Sequence, residues 1–367
     1  MKKRKNLLKL IIFPLLLLVL FSPILLCGEL LHADLVAEIQ PVFGDKFIYG
    51  MAYTNNTAHY KLKLINKRKA DIITIGNSRV LQFNDYFFTD KTGFYNGGSI
   101  AASLPACLDA LQAIEQSALP KIVILGLDAS FFNETYTTAN HYANKAEFLN
   151  PYDYKTFNLL YESLETDYKK GKFKVRQLLL PPWRIGVNAK VNGNGYEQDG
   201  SYTYQREYNS AQSTKERIQP FLTDIANGSG RFSGGNDLYS VSIDKLREII
   251  GFCKANNIHL IAFTPPYANA AMDILNSRTD IDYIDKIDAA VRPMLESEGF
   301  EFYNYTSPYA LGMTDDYFID AFHGSDCAYL LMTIDMLQNG SRLNEYASLS
   351  ELLKMYDNRL SDLEIKR

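Results

Sequence analysis

The chain has 367 residues, 47% of them hydrophobic and 22% charged, with a formal net charge of -4. This balance supplies a large core and excludes a basic nucleic-acid-binding surface. The length admits one large α/β domain or two small ones.

The N-terminus opens with Lys2, Lys3, Arg4 and Lys5 and runs into an almost uninterrupted apolar stretch from Leu7 to Leu26. About twenty such residues, rising about 1.5 Å each, match a bilayer core of about 30 Å. A cleavable leader has a shorter apolar core and small residues at its cleavage site, and neither is present. The expectation is therefore an uncleaved anchor over residues 1–27. The basic cluster stays cytoplasmic and everything after Cys27 lies outside the cell membrane. Leu26 occupies the position where a lipid-modified cysteine needs a small residue, which argues against lipid attachment at Cys27. Cys107 and Cys253 fall in helical patterns as small hydrophobes, and no cysteine pair has metal-binding spacing.

Residues 28–66 read as an extracytoplasmic stem, with a basic patch from Lys61 to Lys69 that either rests against anionic lipid or is solvated. The expected catalytic domain spans 67–345. Its first strand is the run Ile72-Ile73-Thr74-Ile75, ended by Gly76. A helix comes next over "SLPACLDALQAIEQSALP", with Ser103 as its cap ahead of Pro105. "KIVILGLD" is a second buried strand and "VSIDKLREIIGFCKANN" a second helix. "IHLIAFTPP" is a third strand, stopped by two prolines. Then come the helix "IDYIDKIDAAVRPMLESEG", the strand "FEFYNY" and the core helix "SDCAYLLMTIDMLQNG". This alternation predicts a three-layer α/β/α fold around a mostly parallel, flavodoxin-like sheet. Residues 170–238, rich in Gly, Asn and Tyr, form an insertion in which Tyr196, Tyr202 and Tyr204 pack together. Residues 346–367 form an amphipathic helix with Leu349, Leu352, Leu353 and Tyr356 on one side.

Ligands of an open parallel sheet bind beyond the carboxyl ends of its strands. Three such ends carry Gly76-Asn77-Ser78-Arg79, Gly126-Leu127-Asp128 and Asp320-Ala321-Phe322-His323. A serine needs a base to become a nucleophile, and a histidine needs an acid to hold its tautomer. The expected set is Ser78 as nucleophile, His323 as base and Asp320 as its orienting acid. The oxyanion donors are the backbone N–H groups of Ser78 and of Gly97 or Gly98 in "FYNGGS", with the Asn77 or Asn96 amide as alternatives. Arg79 and Asp128 are candidates for substrate contact, and Arg79 equally suits a salt bridge. His141 and His259 read as structural or surface residues. No His/Asp cluster has metal spacing, so no metal and no cofactor are expected.

"IITIGNSRV", "FYNGGS" and "DAFH" together resemble the first, glycine and closing blocks of the SGNH (GDSL-like) hydrolase superfamily. The organisation is similar to membrane-anchored extracytoplasmic members, the D-alanyl transfer proteins of teichoic acid modification and the alginate acetylation proteins. The resemblance implies an acyl-Ser78 intermediate and transfer of an acyl group, acetyl first among them, on a cell-envelope glycan or teichoic-acid-like polymer. It further implies a separately encoded multipass membrane O-acyltransferase as partner. A stand-alone carbohydrate esterase (deacetylase) and a non-catalytic glycan-binding scaffold are the alternatives. The third block departs from the G-x-N-D pattern, reading Gly126-Leu127-Asp128-Ala129. An ionised Asp128 repels an oxyanion, so it either points elsewhere or is protonated.

Overall fold

The computed structural model describes residues 26–53, 57–139, 166–179 and 181–366, with positions 12–15, 22 and 163. The anchor expected over residues 7–26 lies outside the described residues apart from positions 12–15, 22 and 26. No described helix is long and apolar enough to cross a membrane. His141 also lies outside the described residues.

The chain divides into two compact units. The larger comprises Thr57–Asn150, Asp199–Ser201 and Glu207–Arg367. Its sheet has five strands: β1 (Ile72–Gly76), β2 (Phe94–Gly98), β3 (Ile122–Gly126), β4 (His259–Thr264) and β5 (Glu301–Asn304). All pair in parallel, in the order β2-β1-β3-β4-β5. Successive residues of a strand face opposite sides. Every residue of β1, β2 and β3 is buried, so both faces of the sheet are covered. The helices that cover them include α1 (Thr57–Arg68), α2 (Leu104–Ala113), α3 (Ser240–Ala255), α4 (Tyr283–Glu296) and α5 (Asp326–Gln338). The Ser103 hydroxyl caps α2 by accepting from the Ala106 N–H, and Pro105 sits in the first turn where no donor is missed. Cys107 and Cys253 are fully buried in α2 and α3 as free thiols. Helix α6 (Leu349–Asp357) packs on α5 with Leu352 buried, while the Tyr356 hydroxyl meets that of Tyr317.

Two features differ from the sequence reading. "FYNGG" is the edge strand β2, because glycine at 97 lets the chain lie against β1. A Cβ there would come within 2.4 Å of the Thr74 carbonyl oxygen. Lys61 is not a solvated or lipid-facing cation. It is fully buried, and its ammonium donates to the carbonyls of Asn96 (2.8 Å) and Gly200. Burial pushes its pKa well below the ordinary lysine value, against the pull of Asp199.

The smaller unit comprises Met1–Asn56, Pro151–Gln198 and Tyr202–Arg206. It holds a helix at Ala33–Phe43 and a four-stranded sheet of two-residue strands. Buried Glu29 ties it together, accepting from the backbone N–H groups of Ala52, Tyr53 and Val187 at 2.8–2.9 Å. The insertion expected over 170–238 is therefore shared between the two units. Its tyrosines do pack together, Tyr202 lying edge-on to Tyr196 at 5.2 Å and tilted against Tyr204 at 4.8 Å.

Candidate active site

In the order β2-β1-β3-β4-β5 the chain first steps outward from β1 to β2, then returns across it to β3. The crevice at the carboxyl ends of β1 and β3 is thus the switch point where open sheets bind ligands. Gly76 leaves β1 at φ +154°, and Asn77 then caps a short 3₁₀ turn, Ser78–Val80, its side-chain oxygen accepting from the Arg79 N–H at 2.9 Å. Val80 turns inward between the strand ends. A Cβ on Gly126 would lie 2.2 Å from Val80 Cγ1, so the glycine that ends β3 makes room for the serine turn of β1. Ser99, held at φ +64° just after β2, donates its N–H to the Asn77 carbonyl at 3.1 Å and fixes the turn from the other side.

The Asp320–His323 segment converges on the same crevice. Phe318 and Gly324 bridge in antiparallel fashion, and the Ile319 N–H donates to the His323 carbonyl, closing a tight loop. Inside it, Asp320 Oδ1 accepts from the N–H groups of Phe322 (2.9 Å) and His323 (2.8 Å). Its Oδ2 lies 2.7 Å from His323 Nδ1. His323 Nε2 lies 2.8 Å from Ser78 Oγ. Burial pushes the Asp320 pKa up, but the adjacent imidazole and these hydrogen bonds prevail, and the carboxyl is held below its ordinary value. A serine hydroxyl, an imidazole and an ionised carboxylate thus form one hydrogen-bonded chain across 245 residues of sequence. In such a chain the imidazole takes the serine proton while the carboxylate stabilises the resulting imidazolium.

The remaining expected site residues separate clearly. The Asn96 amide donates to the carbonyls of Val80 and Phe83, and its oxygen accepts from Thr74 Oγ1 and the Gly98 N–H. Asn96 is therefore a strut, and neither Asn96 nor Gly98 has a donor left for an oxyanion. Gly97 is a ladder residue of β2, opposite Ile75. Arg79 does not reach substrate either. Its side chain is fully buried, donating to Asp128 Oδ2 (3.2 Å) and to the carbonyls of Pro265 (2.8 Å) and Pro266 (2.7 Å), above the Tyr267 ring at 4.1 Å. Asp128 is its counter-ion. Burial pushes the Asp128 pKa up, but Arg79 and Arg231, with hydrogen bonds from Asn77 and Ser130, hold the carboxyl far below the usual carboxylate range. Asp128 is ionised and turned toward Arg79, which removes both the protonated form and the substrate contact considered from sequence.

Asn77 stays in contention. One N–H of its amide donates to Asp128 Oδ2 at 2.8 Å, and no described residue accepts the other. The Ser78 N–H likewise has no acceptor among the described residues. One residue that sequence reasoning missed stands beside them: Arg231, in the Gly/Ser-rich "NGSGRFSGGND", carries its guanidinium to 3.7 Å from Asp128 and 4.4 Å from the Phe322 ring. A lone cation in a loop of small residues was the signal available. His259 is structural, its Nε2 pairing with Glu301 at 2.7 Å. Among the described residues no group of His, Cys, Asp and Glu is placed to hold a metal.

No family model matches the chain, and none of the curated proteins compared with it does. Among solved structures, a GDSL-like lipase from Bacteroides thetaiotaomicron aligns over 74% of this chain and 88% of its own. Its sequence is 12% identical and the TM-score is 0.35. The roles assigned to the site residues rest on this chain's own geometry.

Proposed function

We propose that this protein is a serine esterase or acyltransferase working through an acyl-Ser78 intermediate. The observation that carries the reading is the Ser78–His323–Asp320 chain, with links of 2.8 and 2.7 Å, at the switch point of a parallel sheet. Ser78 Oγ attacks an ester carbonyl while His323 Nε2 takes the hydroxyl proton, and the new C–O bond yields a tetrahedral oxyanion. The Ser78 N–H and the unpaired N–H of the Asn77 amide supply its donors. Asp128 and Arg79 act as positioning residues that hold the Asn77 amide. Collapse breaks the ester C–O bond, and the departing alcohol takes the proton from His323. Water or an acceptor hydroxyl then reverses the sequence, giving hydrolysis or transfer.

The setting proposed for this chemistry is the outer face of the cell membrane, anchored through residues 7–26, with an envelope polysaccharide or teichoic-acid-like polymer as substrate. A multipass O-acyltransferase that delivers acyl groups is the proposed partner. The basic-then-apolar N-terminus and the motif resemblance support this setting.

The test is fluorophosphonate labelling of the full chain, with Ser78→Ala and His323→Ala alongside. Labelling that disappears in the first and collapses in the second is expected. A folded wild-type protein that does not label refutes the reading.

A further inference from the structure

The Arg231 cation beside Asp128 has no part in the chemistry described so far. The Arg231 side chain makes no hydrogen bond with any described residue. Its Nη1 is buried without an acceptor, and the side chain as a whole is 21% exposed. At 3.7 Å its contact with Asp128 is an ion pair but not a hydrogen bond. Asp128 already has a full counter-charge in Arg79, which is completely buried, and further donors in Asn77 and Ser130. Two guanidinium groups therefore face one carboxylate, leaving one positive charge in excess.

The surroundings link that excess charge to the catalytic residues through one intervening side chain on either side. The ring on which Arg231 rests, Phe322, precedes His323 in the chain and lies 4.5 Å from its imidazole. The Asp128 oxygen that Arg231 approaches is the same one that holds the Asn77 amide, one residue before Ser78. A guanidinium that only closed a structural ion pair would be expected to use its fork on the carboxylate in a bidentate manner. Here the guanidinium sits over an aromatic ring, 4.4 Å from its centroid, with Nη1 unspent, an arrangement that suits a receptor for a planar or tetrahedral anion.

We infer that Arg231 anchors an acidic group of the substrate, a carboxylate or a phosphate, beside the ester that Ser78 attacks. The inference deepens the serine acyl-transfer reading and rests on it. It makes Arg231 a specificity residue: it selects esters whose neighbouring unit carries negative charge and sets the carbonyl over Ser78 Oγ.

The experiment compares kcat/KM of the full chain for phenyl acetate with that for its meta-carboxylate and meta-phosphonate analogues. Wild type, Arg231→Gln and Arg231→Lys are measured, and fluorophosphonate labelling of wild type is read first. Arg231→Gln is expected to lower the anionic-to-neutral ratio about tenfold, the scale of one charge-assisted hydrogen bond. Arg231→Lys restores part of the ratio by returning the charge without the fork. Taking a ratio cancels any change in the serine chemistry itself, and the analogue that loses more identifies the acid. An unchanged ratio for both analogues in an enzyme that labels overturns the anchor alone. Absence of labelling in wild type overturns the serine reading and the anchor with it.

Discussion

Replacing Asp128 by asparagine keeps the side chain's shape and removes its charge, and the surrounding structure sets the cost. Arg79 is fully buried and donates to Asp128 at 3.2 Å. At that separation, with an effective dielectric constant of about 20, the pair attracts by about 5 kcal/mol before desolvation is counted. Its other acceptors, the carbonyls of Pro265 and Pro266, are neutral. Removing one partner of a buried pair costs about 3–5 kcal/mol, because the remaining charge is stranded. Arg231, 3.7 Å from Asp128, loses the same counter-charge and offsets none of the cost. Asp128→Asn is therefore expected to lower the unfolding free energy by about 3–5 kcal/mol, measured by urea denaturation with the slope unchanged. The double variant Arg79→Met/Asp128→Asn removes both charges while keeping an acceptor for Asn77 and Ser130, and is expected to recover part of that stability. Fluorophosphonate labelling should slow in both, since each alters the group that holds the Asn77 amide. A loss below about 1 kcal/mol in Asp128→Asn would show that something other than Asp128 neutralises Arg79.

Other consequences are equally specific. Gly126→Ala drives a methyl into Val80, 2.2 Å from its Cγ1, and is expected to cost about 1–3 kcal/mol while displacing the serine turn; adding Val80→Ala should restore labelling if the clash is the cause. Asp320→Asn is expected to slow ester turnover about 10³–10⁴-fold by leaving His323 in the wrong tautomer, measured under single-turnover conditions. Because the Asp320 pKa is depressed on folding, its stabilisation is present above the unfolded value of about 3.9 and is lost as pH falls through the folded value. The acid limb of stability against pH should accordingly be flatter in Asp320→Asn. Lys61 acts in the same direction at the other end of the pH range. Its pKa falls on folding, so the unfolded chain binds the extra proton and stability rises with pH up to about 10.4. Lys61→Met should abolish that rise, and a rise that survives the substitution would place its origin elsewhere.

Much of the fold and of the candidate site was legible because strong local signals coincided with tertiary roles. Ile72–Ile75 and Ile122–Leu125 are unbroken apolar runs stopped by glycine, and such runs have few alternatives to a buried parallel strand. Asp320 and His323, three residues apart, meet through a turn that the aspartate itself organises with two backbone bonds, so the pairing is encoded locally. The features that escaped depend on partners distant in sequence. Strand β2 escapes a reading by apolar runs because its fit against β1 depends on a missing side chain at Gly97. Lys61 reads as solvated or lipid-facing because the carbonyls that accept its hydrogen bonds, on Asn96 and Gly200, lie 35 and 139 residues away. Asn96 as an oxyanion donor and Asp128 as a substrate contact fail to fit for a related reason. Each is fully committed to buried groups, Asn96 to Thr74, Val80, Phe83 and Gly98, and Asp128 to Arg79, Asn77 and Ser130. A residue type carries no record of whether its hydrogen bonds are already taken.

The central claim is that Ser78 carries the acyl group. Mixing the full chain with excess 4-nitrophenyl acetate, quenching in acid at early times and mapping peptides by mass spectrometry addresses it directly. An acyl-Ser78 intermediate predicts a nitrophenol burst matched by one acetyl group on the peptide containing Ser78, absent in Ser78→Ala. Turnover with no acetyl on Ser78, or a burst that survives Ser78→Ala, would contradict it.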